Sequence, residues 1–263
     1  MVIPKTIHYC WFGEKEKPKV VKECIASWRK ILVGYVIKEW NETNVDLSNP
    51  FVKYAYRQKK WAFVSDYIRL KILHTHGGIY LDTDMFFLKP IDSFLNNDLF
   101  VGAEEDRFIS CGIIGAIPNH PFIQKGIERY DTMDLTNIEF HKITIPKILT
   151  ASFRAYYNFY EKFDKLITID KVLVCPKNYF YPYSYEDSEI TNRYMDFRTS
   201  DTYAIHLWNK SWMDHSEFYY LKKRQYFKAC KTAITNLSTG TEALNVKYVK
   251  MLGYSIKQSF KKK

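Results

Sequence analysis

Gly77-Gly78-Ile79-Tyr80-Leu81-Asp82-Thr83-Asp84 runs from a glycine pair through an apolar segment into two carboxylates one residue apart. Read as a strand, it puts Asp82 and Asp84 on one side and Thr83 on the other, because successive side chains alternate. Two acids at a strand end form a compact hard-oxygen site, suited to Mg²⁺ or Mn²⁺ carrying a diphosphate. The spacing permits a shared ion without proving one, and a pair of surface acids capping a strand is the other reading. Upstream, Trp61 to Leu73 reads as an amphipathic helix, with apolar residues at 63, 64, 67, 70 and 73 following a helical period. Asp66 and Arg69 lie three apart on it, within pairing distance. Gly77-Gly78 stops the helix and feeds the strand. Helix, glycine turn, strand and acid pair thus form one continuous unit.

Working outward, strands alternate with helices. Lys5 to Trp11 reads as a strand, Pro18 to Lys30 as a helix and Tyr35 to Trp40 as a second strand. Asn49-Pro50 opens a helical stretch toward Arg57. Met85 to Leu88, Leu99 to Gly102 and Ile113 to Ile117 read as strands, the last two flanking a loop Glu104-Glu105-Asp106-Arg107. Pro121 to Tyr130 and Ile145 to Tyr157 read as helices, 176–200 as irregular and Tyr203 to Leu207 as a late strand. This alternation predicts an α/β fold with a mainly parallel, helix-covered central sheet.

The chain has 263 residues and is 46 % hydrophobic, enough for one sizeable core and an appendage. Aromatic residues make up 17 %, which suits core packing and also a stacking cleft. Five cysteines, an odd number without paired or zinc-type spacing, read as reduced and mostly buried thiols of a cytosolic protein. The N-terminus enters Ile3-Pro4-Lys5 directly, so no targeting segment is expected. No run of about 18 apolar residues suggests a membrane span.

Charge is unevenly placed. The net charge is +10, yet Ser216 to Lys263 holds 11 Lys and Arg against 2 acids, leaving +1 for the first 215 residues. Two helices are expected in this tail. One runs from Glu217 to about Asn236. The other is capped by Thr241 and lines up Leu244, Tyr248, Met251, Leu252 and Ile256. Basic amphipathic helices suit an anionic membrane surface; a solvated helical pair closing the domain is the alternative.

Trp61 to Met85, taken with Ile3-Pro4-Lys5-Thr6-Ile7-His8-Tyr9-Cys10-Trp11-Phe12-Gly13 and Ile205-His206-Leu207-Trp208-Asn209-Lys210-Ser211-Trp212, resembles family 32 of the glycosyltransferases. That family includes capsular-polysaccharide sugar transferases and is related to yeast mannosyltransferases and glucosylating clostridial toxins. The resemblance covers about the first 215 residues. It implies a GT-A type, Rossmann-like nucleotide-sugar domain over 1–215, with 216–263 as a basic helical tail. It also implies Asp84 as direct metal ligand and Asp82 on ribose and metal. Asp66 and Arg69 would form a donor-sugar pair, with Ser65 and Tyr80 close by. Cys10 ends the first strand, and Trp11 follows where the family stacks the nucleotide base; a core tryptophan is the alternative. His8 is read as structural. His206 would complete the metal shell, Lys210 and Ser211 would hold the diphosphate, and Trp212 would close over it. Glu104, Glu105 and Asp106 are candidates for donor or acceptor contact, a solvated acidic loop being the other reading.

The function so implied is metal-dependent, retaining transfer of a hexose in capsular or surface polysaccharide biosynthesis. The donor would be a UDP-sugar, UDP-galactose first, with Mn²⁺ or Mg²⁺. The acceptor would be a saccharide, free or linked to a polyprenyl diphosphate. The expected location is cytoplasmic, peripheral on the inner face of the cell membrane, and no nucleic-acid partner is expected. Three other classes compete. A metal-dependent phosphohydrolase would want a hydroxyl residue where Phe86 stands. A nucleic-acid-binding module would explain the charge, but the charge is confined to the tail. A non-catalytic membrane scaffold fits the tail and leaves the acid pair without purpose.

Overall fold

Helix and strand meet at Gly77 and Gly78, whose φ values of +62° and +94° lie where a side chain is resisted. A Cβ on Gly78 would stand 2.7 Å from the Thr6 carbonyl oxygen and 2.8 Å from His8 Nε2. Glycine therefore lets the chain leave its helix and lie directly against the first strand. The computed structural model describes residues 2–136, 138–209, 217–239 and 243–260. Two compact units divide the chain, Met1–Asn209 and Lys210–Lys263.

The first unit begins with β1 (Thr6–Cys10), α1 (Lys19–Ile31), β2 (Val36–Trp40), α2 (Pro50–Arg57), α3 (Trp61–His76), β3 (Gly78–Leu81) and β4 (Met85–Phe87). It continues with β5 (Leu99–Glu105), β6 (Phe108–Ala116), α4 (Pro121–Asp131), α5 (Ile145–Tyr157), β7 (Ile167–Ile169) and β8 (Val172–Cys175). Short helices α6 (Lys177–Phe180) and α7 (Tyr185–Ile190) precede β9 (Ala204–His206). A seven-stranded sheet runs β2-β1-β3-β6-β5-β8-β7, and β4 pairs with β9 in a separate ribbon.

The α/β class is as expected, but the sheet is mixed. β1 is parallel to both β2 and β3, and β5 to β8, while β6 and β7 run against their neighbours. The carboxyl ends of β1, β3 and β5 consequently lie along one side of the sheet, the side on which α/β folds collect their ligands. Alternation sorts the two faces: Tyr80, Leu99 and Val101 enter one hydrophobic core, Ile79, Leu81 and Phe100 the other.

Several local expectations need correction. α3 buries nine residues, including Asp66 and Arg69, so it is a central helix rather than an amphipathic one. It contacts α2, α4 and β1 together, leaving little of it for solvent. Glu104 and Glu105 belong to β5, whose hairpin to β6 turns on Asp106-Arg107 alone. The stretch 176–200 is not irregular, because α6 and α7 form within it. The pair β7–β8 was not foreseen.

In the second unit, α8 (Glu217–Lys222), α9 (Tyr226–Ser238) and α10 (Val246–Phe260) replace the expected two helices. The break falls at Arg224, whose φ of +56° ends α8. Thr241, expected as a cap, lies outside the described residues. α10 buries Tyr248 and Ser259, whereas Leu244, Met251 and Ile256 of the expected apolar stripe are exposed. Phe227, Ile234, Val246 and Phe260 are each more than 65 % exposed (84 %, 68 %, 71 % and 69 %), so this unit carries much uncovered apolar surface.

His8, in the middle of β1, bears on stability. Its Nε2 lies 3.0 Å from the Gly77 carbonyl, and its Nδ1 accepts from Trp40 Nε1 at 3.1 Å. Both contacts are satisfied by one neutral tautomer. Burial lowers the ring to about 4, against the pull of the Gly77 carbonyl. The unfolded chain takes up this proton near pH 6.5 and the folded chain near 4, so His8 removes stability as pH falls through that window. The loss reaches about 3 kcal/mol at the foot of the window. Chemical denaturation of His8→Gln should show a flatter decline between pH 6.5 and 4 than the native chain. An equal slope would refute this role for His8.

Candidate active site

Asp82, Thr83 and Asp84 do not continue the strand, which corrects the expectation from alternation. β3 stops at Leu81, and the acids occupy a turn closed by the Met85 N–H on the Asp82 carbonyl at 3.1 Å. Asp82 N–H donates to the Gly112 carbonyl at 2.8 Å, which fixes the turn against β6. The exit into β4 is anchored from α1: Trp28 Nε1 donates to the Met85 carbonyl at 2.6 Å and the Phe87 N–H to Ser27 Oγ at 3.0 Å. The turn, not strand parity, sets the two carboxylates.

Arg69 rises from the centre of α3 and is 4 % exposed, Asp66 5 %. Its guanidinium donates to Asp66 Oδ1 at 2.9 Å and to the Cys111 carbonyl at 2.6 Å, and lies 3.3 Å from Asp82 Oδ1. The Tyr80 ring sits 4.4 Å from its central carbon. Burial pushes the Asp66 carboxyl up to about 7, although Arg69 beside it pulls the other way. This pair is therefore a buried junction rather than a helix-surface salt bridge. Ser65 donates its hydroxyl to the Trp61 carbonyl at 3.0 Å. The thiol of Cys10 shares the neighbourhood of Arg69, Asp82, Tyr80 and Ser65, and burial raises it to about 12. Trp11 follows at the end of β1, half-buried, with Nε1 donating to the Lys15 carbonyl at 2.6 Å and Lys17 5.6 Å from its ring.

His206 arrives from far along the chain because β9 pairs antiparallel with β4, setting His206 opposite Met85. Its Nε2 is 3.1 Å from Asp84 Oδ1 and 4.0 Å from Asp82 Oδ2. Asp84 Oδ2 accepts from the Asn209 N–H at 2.7 Å. Burial alone would raise the Asp84 carboxyl; His206 and the Asn209 N–H outweigh it and leave the group below its usual range. Burial likewise acts to lower His206, and Asp84 overrides it, so the ring is raised. Each group therefore favours the charged form of the other, the protonated ring and the ionised carboxyl.

Residues not foreseen complete the surroundings. Trp208 adopts φ +51°, stands edge-on to the His206 ring at 4.3 Å and donates Nε1 to the Tyr183 carbonyl at 2.8 Å. The Tyr181 ring lies 5.6 Å from His206. A Cβ on Gly112 would meet the Tyr181 hydroxyl at 2.9 Å and Asp82 Oδ2 at 3.3 Å, so glycine keeps the space before the acids open. Glu104, at the end of β5, is pushed up to about 7 by burial and feels both His206 and Asp82. Glu105 is exposed, and Asp106 is half-buried in the hairpin turn. Lys210, Ser211 and Trp212 lie outside the described residues.

The donor set fits a hard divalent cation: two carboxylates on one turn, with an imidazole nitrogen within 4.0 Å of both. Among the described residues no three His, Cys, Asp or Glu side chains form a ready metal cage.

Residues 18–101 match the glycosyltransferase sugar-binding region containing the DXD motif. The chain is 29 % identical over 167 residues to the human alpha-1,4-N-acetylglucosaminyltransferase, covering 59 % of this chain and 45 % of that protein. It is 30 % identical over 152 residues to the uncharacterized glycosyltransferase L373 of Acanthamoeba polyphaga mimivirus, covering 52 % and 61 %. Human lactosylceramide 4-alpha-galactosyltransferase is 27 % identical over 168 residues, covering 60 % and 46 %. The chain thus spans about half the length of the curated relatives it matches. Over this part of its length, which includes the DXD acids and the buried Arg69 junction, the chain is similar to glycosyltransferases that carry the DXD sugar-binding region.

Proposed function

We propose that the chain transfers a hexose from a UDP-sugar, UDP-galactose first, to a saccharide or lipid-linked saccharide acceptor in surface or capsular polysaccharide assembly, with retention of anomeric configuration. The observation that carries this reading is the meeting of Asp82, Asp84 and His206 across the β4–β9 ribbon, on the side of the sheet that also ends in Trp11. Asp84 and Asp82 would hold Mn²⁺ or Mg²⁺ with the help of His206. The bound ion supplies Lewis-acid neutralisation of the leaving diphosphate.

The chain's own groups have separate tasks. Arg69 orients Asp82 and Asp66 orients Arg69, so the acid turn meets its ligand without rearranging. Trp11 stacks the base, and Cys10, Ser65 and Tyr80 line the same side. The acceptor hydroxyl attacks the anomeric carbon on the face from which the nucleoside diphosphate departs. The bond from that carbon to the phosphate oxygen breaks, and the departing oxygen takes the hydroxyl proton. Supporting the lipid-linked option, one relative is by name a lactosylceramide transferase.

The second unit is proposed to rest on an anionic membrane surface at the inner face of the cell membrane. Its net +9 and its uncovered Phe227, Ile234, Val246 and Phe260 combine charge with insertable apolar area. No helix among the described residues is long and apolar enough to cross a membrane.

Calorimetry of UDP binding tests the acid site. Mn²⁺ should strengthen UDP binding to the native chain, and Asp84→Ala should abolish that enhancement along with transfer, while the circular dichroism of the fold is kept. Equal UDP affinity with chelator, or full transfer by Asp84→Ala, refutes the metal reading. For the tail, the double variant Lys250→Glu with Lys257→Glu should sediment at least about tenfold more weakly with phosphatidylglycerol vesicles, at about 1 kcal/mol per cation. Unchanged sedimentation refutes membrane contact.

A further inference from the structure

A cleft of about 520 Å³ lies away from the acid turn, lined by Arg107, Phe108, Lys147, Thr150, Ala151, Arg154, Tyr160, Glu161 and Lys162. Four of these are cations and one is an acid. The first 215 residues together carry only +1, so this grouping is not a sample of a generally basic surface. We infer that the cleft is an acceptor subsite for a saccharide bearing an anionic group, a carboxylate or a phosphate. This rests on the proposed glycosyl transfer.

Its walls are built rather than fortuitous. The β5–β6 hairpin turns on Asp106-Arg107, and the Asp106 carbonyl accepts from the Phe163 N–H at 2.7 Å. Lys162 lies 4.0 Å from the Asp106 carboxylate, which draws the segment around 159–163 against the hairpin tip. Arg154 of α5 ties the parts together. It donates to the Glu161 and Arg107 carbonyls, each at 3.3 Å, and stacks 5.1 Å from the Phe163 ring. Thr150 Oγ1 accepts from the Ile109 N–H at 2.9 Å, fixing the returning strand on α5. Within this frame Phe108 and Ala151 give an apolar lining, and Arg107 and Lys162 are exposed cations. Tyr160, 69 % exposed, offers an aromatic face of the kind on which a sugar ring stacks. The volume falls in the range of small-ligand pockets.

The hairpin links this cleft to the acid turn. Glu104, within the field of His206 and Asp82, stands on β5 three residues before Arg107. Three residues span at most about 11 Å when extended, and the hairpin turn brings the two positions closer than that. That is within reach of a short oligosaccharide whose hydroxyl end meets the DXD site while its charged unit occupies the cleft. A negatively charged group on the acceptor is disfavoured beside Asp82 and Asp84. Cations set one hairpin length away favour only the orientation that keeps its charge from those acids.

Saturation-transfer NMR and calorimetry on the full chain test this with glucose 1-phosphate, glucuronate, maltose and inorganic phosphate. The expected result is binding of one or both charged sugars, weakened by salt, with maltose not bound; the two charged arms show which anion is preferred. The double variant Arg107→Gln with Lys162→Gln should bind the charged sugars about tenfold more weakly, the loss of one charge-assisted contact. Its hydrolysis of the nucleotide-sugar donor should stay within about twofold of native, since neither residue belongs to the proposed donor site. Equal binding by the variant, equal binding of maltose, or inorganic phosphate as tight as glucose 1-phosphate overturns the subsite. A parallel fall in donor hydrolysis overturns it too, by moving the cleft to the donor. If the native chain hydrolyses no UDP- or GDP-sugar, the transfer reading fails and the anionic-saccharide result is read by itself.

Discussion

A single buried guanidinium governs the architecture around the acid turn. Arg69 joins three elements that sequence keeps apart: α3 through Asp66, the β3–β4 turn through Asp82, and β6 through the Cys111 carbonyl. Removing a buried charge from water costs several kcal/mol, and only a full set of partners repays it. Here two carboxylates, a carbonyl and the face of Tyr80 serve as that set. The same accounting makes the junction fragile, because loss of one partner of such a pair is worth about 3–5 kcal/mol. A site held this way is rigid from beneath, while Asp82, the more exposed of its carboxylates at 29 %, remains available above.

Asp84 is held by a different device. It sits below its usual carboxylate range because His206 and a backbone N–H compensate its burial. His206 can do so only because β9 returns beside β4, and its ring is wedged between Trp208 and Tyr181. The ring's raised basicity beside Asp84 marks the point where positive charge is favoured. The two acids are therefore prepared in unlike ways, one against a permanent arginine cation and the other against a histidine whose proton can be exchanged. That asymmetry suits a turn in which one carboxylate must stay put and the other must take up a ligand.

Much of this was legible in the chain. The glycine pair, the acid motif and the three-residue spacing of Asp66 and Arg69 identify the unit, since turn chemistry and helix spacing are local rules. Burial of that ion pair was not legible: whether a helix lies on a surface or between layers depends on α2 and α4, which a window over 61–73 does not see. Asp82 and Asp84 do meet on His206, yet not by strand alternation, because Leu81 ends the strand and the turn sets both carboxylates. The reversal of β6 escaped notice for a related cause. A buried strand reads as an apolar run in either direction. Tyr181 and Trp208 carried no recognisable signal beyond their aromatic character, as their role depends on the fold bringing them to His206.

Charge along one hairpin ties these observations together. Glu104 near the end of β5 and Arg107 in its turn are separated by at most about 11 Å of chain, near the Debye length in physiological salt. Over that distance the exposed Arg107 charge still orients an anionic molecule, yet it is too weak to anchor one without contact. Specificity must therefore come from contact chemistry at each end, carboxylates and imidazole at one, guanidinium, ammonium and a tyrosine face at the other. The β5–β6 pairing bounds their separation: past a register shift at Glu104, Glu105 faces Phe108 across the ladder, and Thr150 clamps Ile109 to α5. A hairpin with unlike ends selects length as well as charge. It favours a substrate whose hydroxyl and anion are spaced to match and leaves a shorter or neutral one held at a single end.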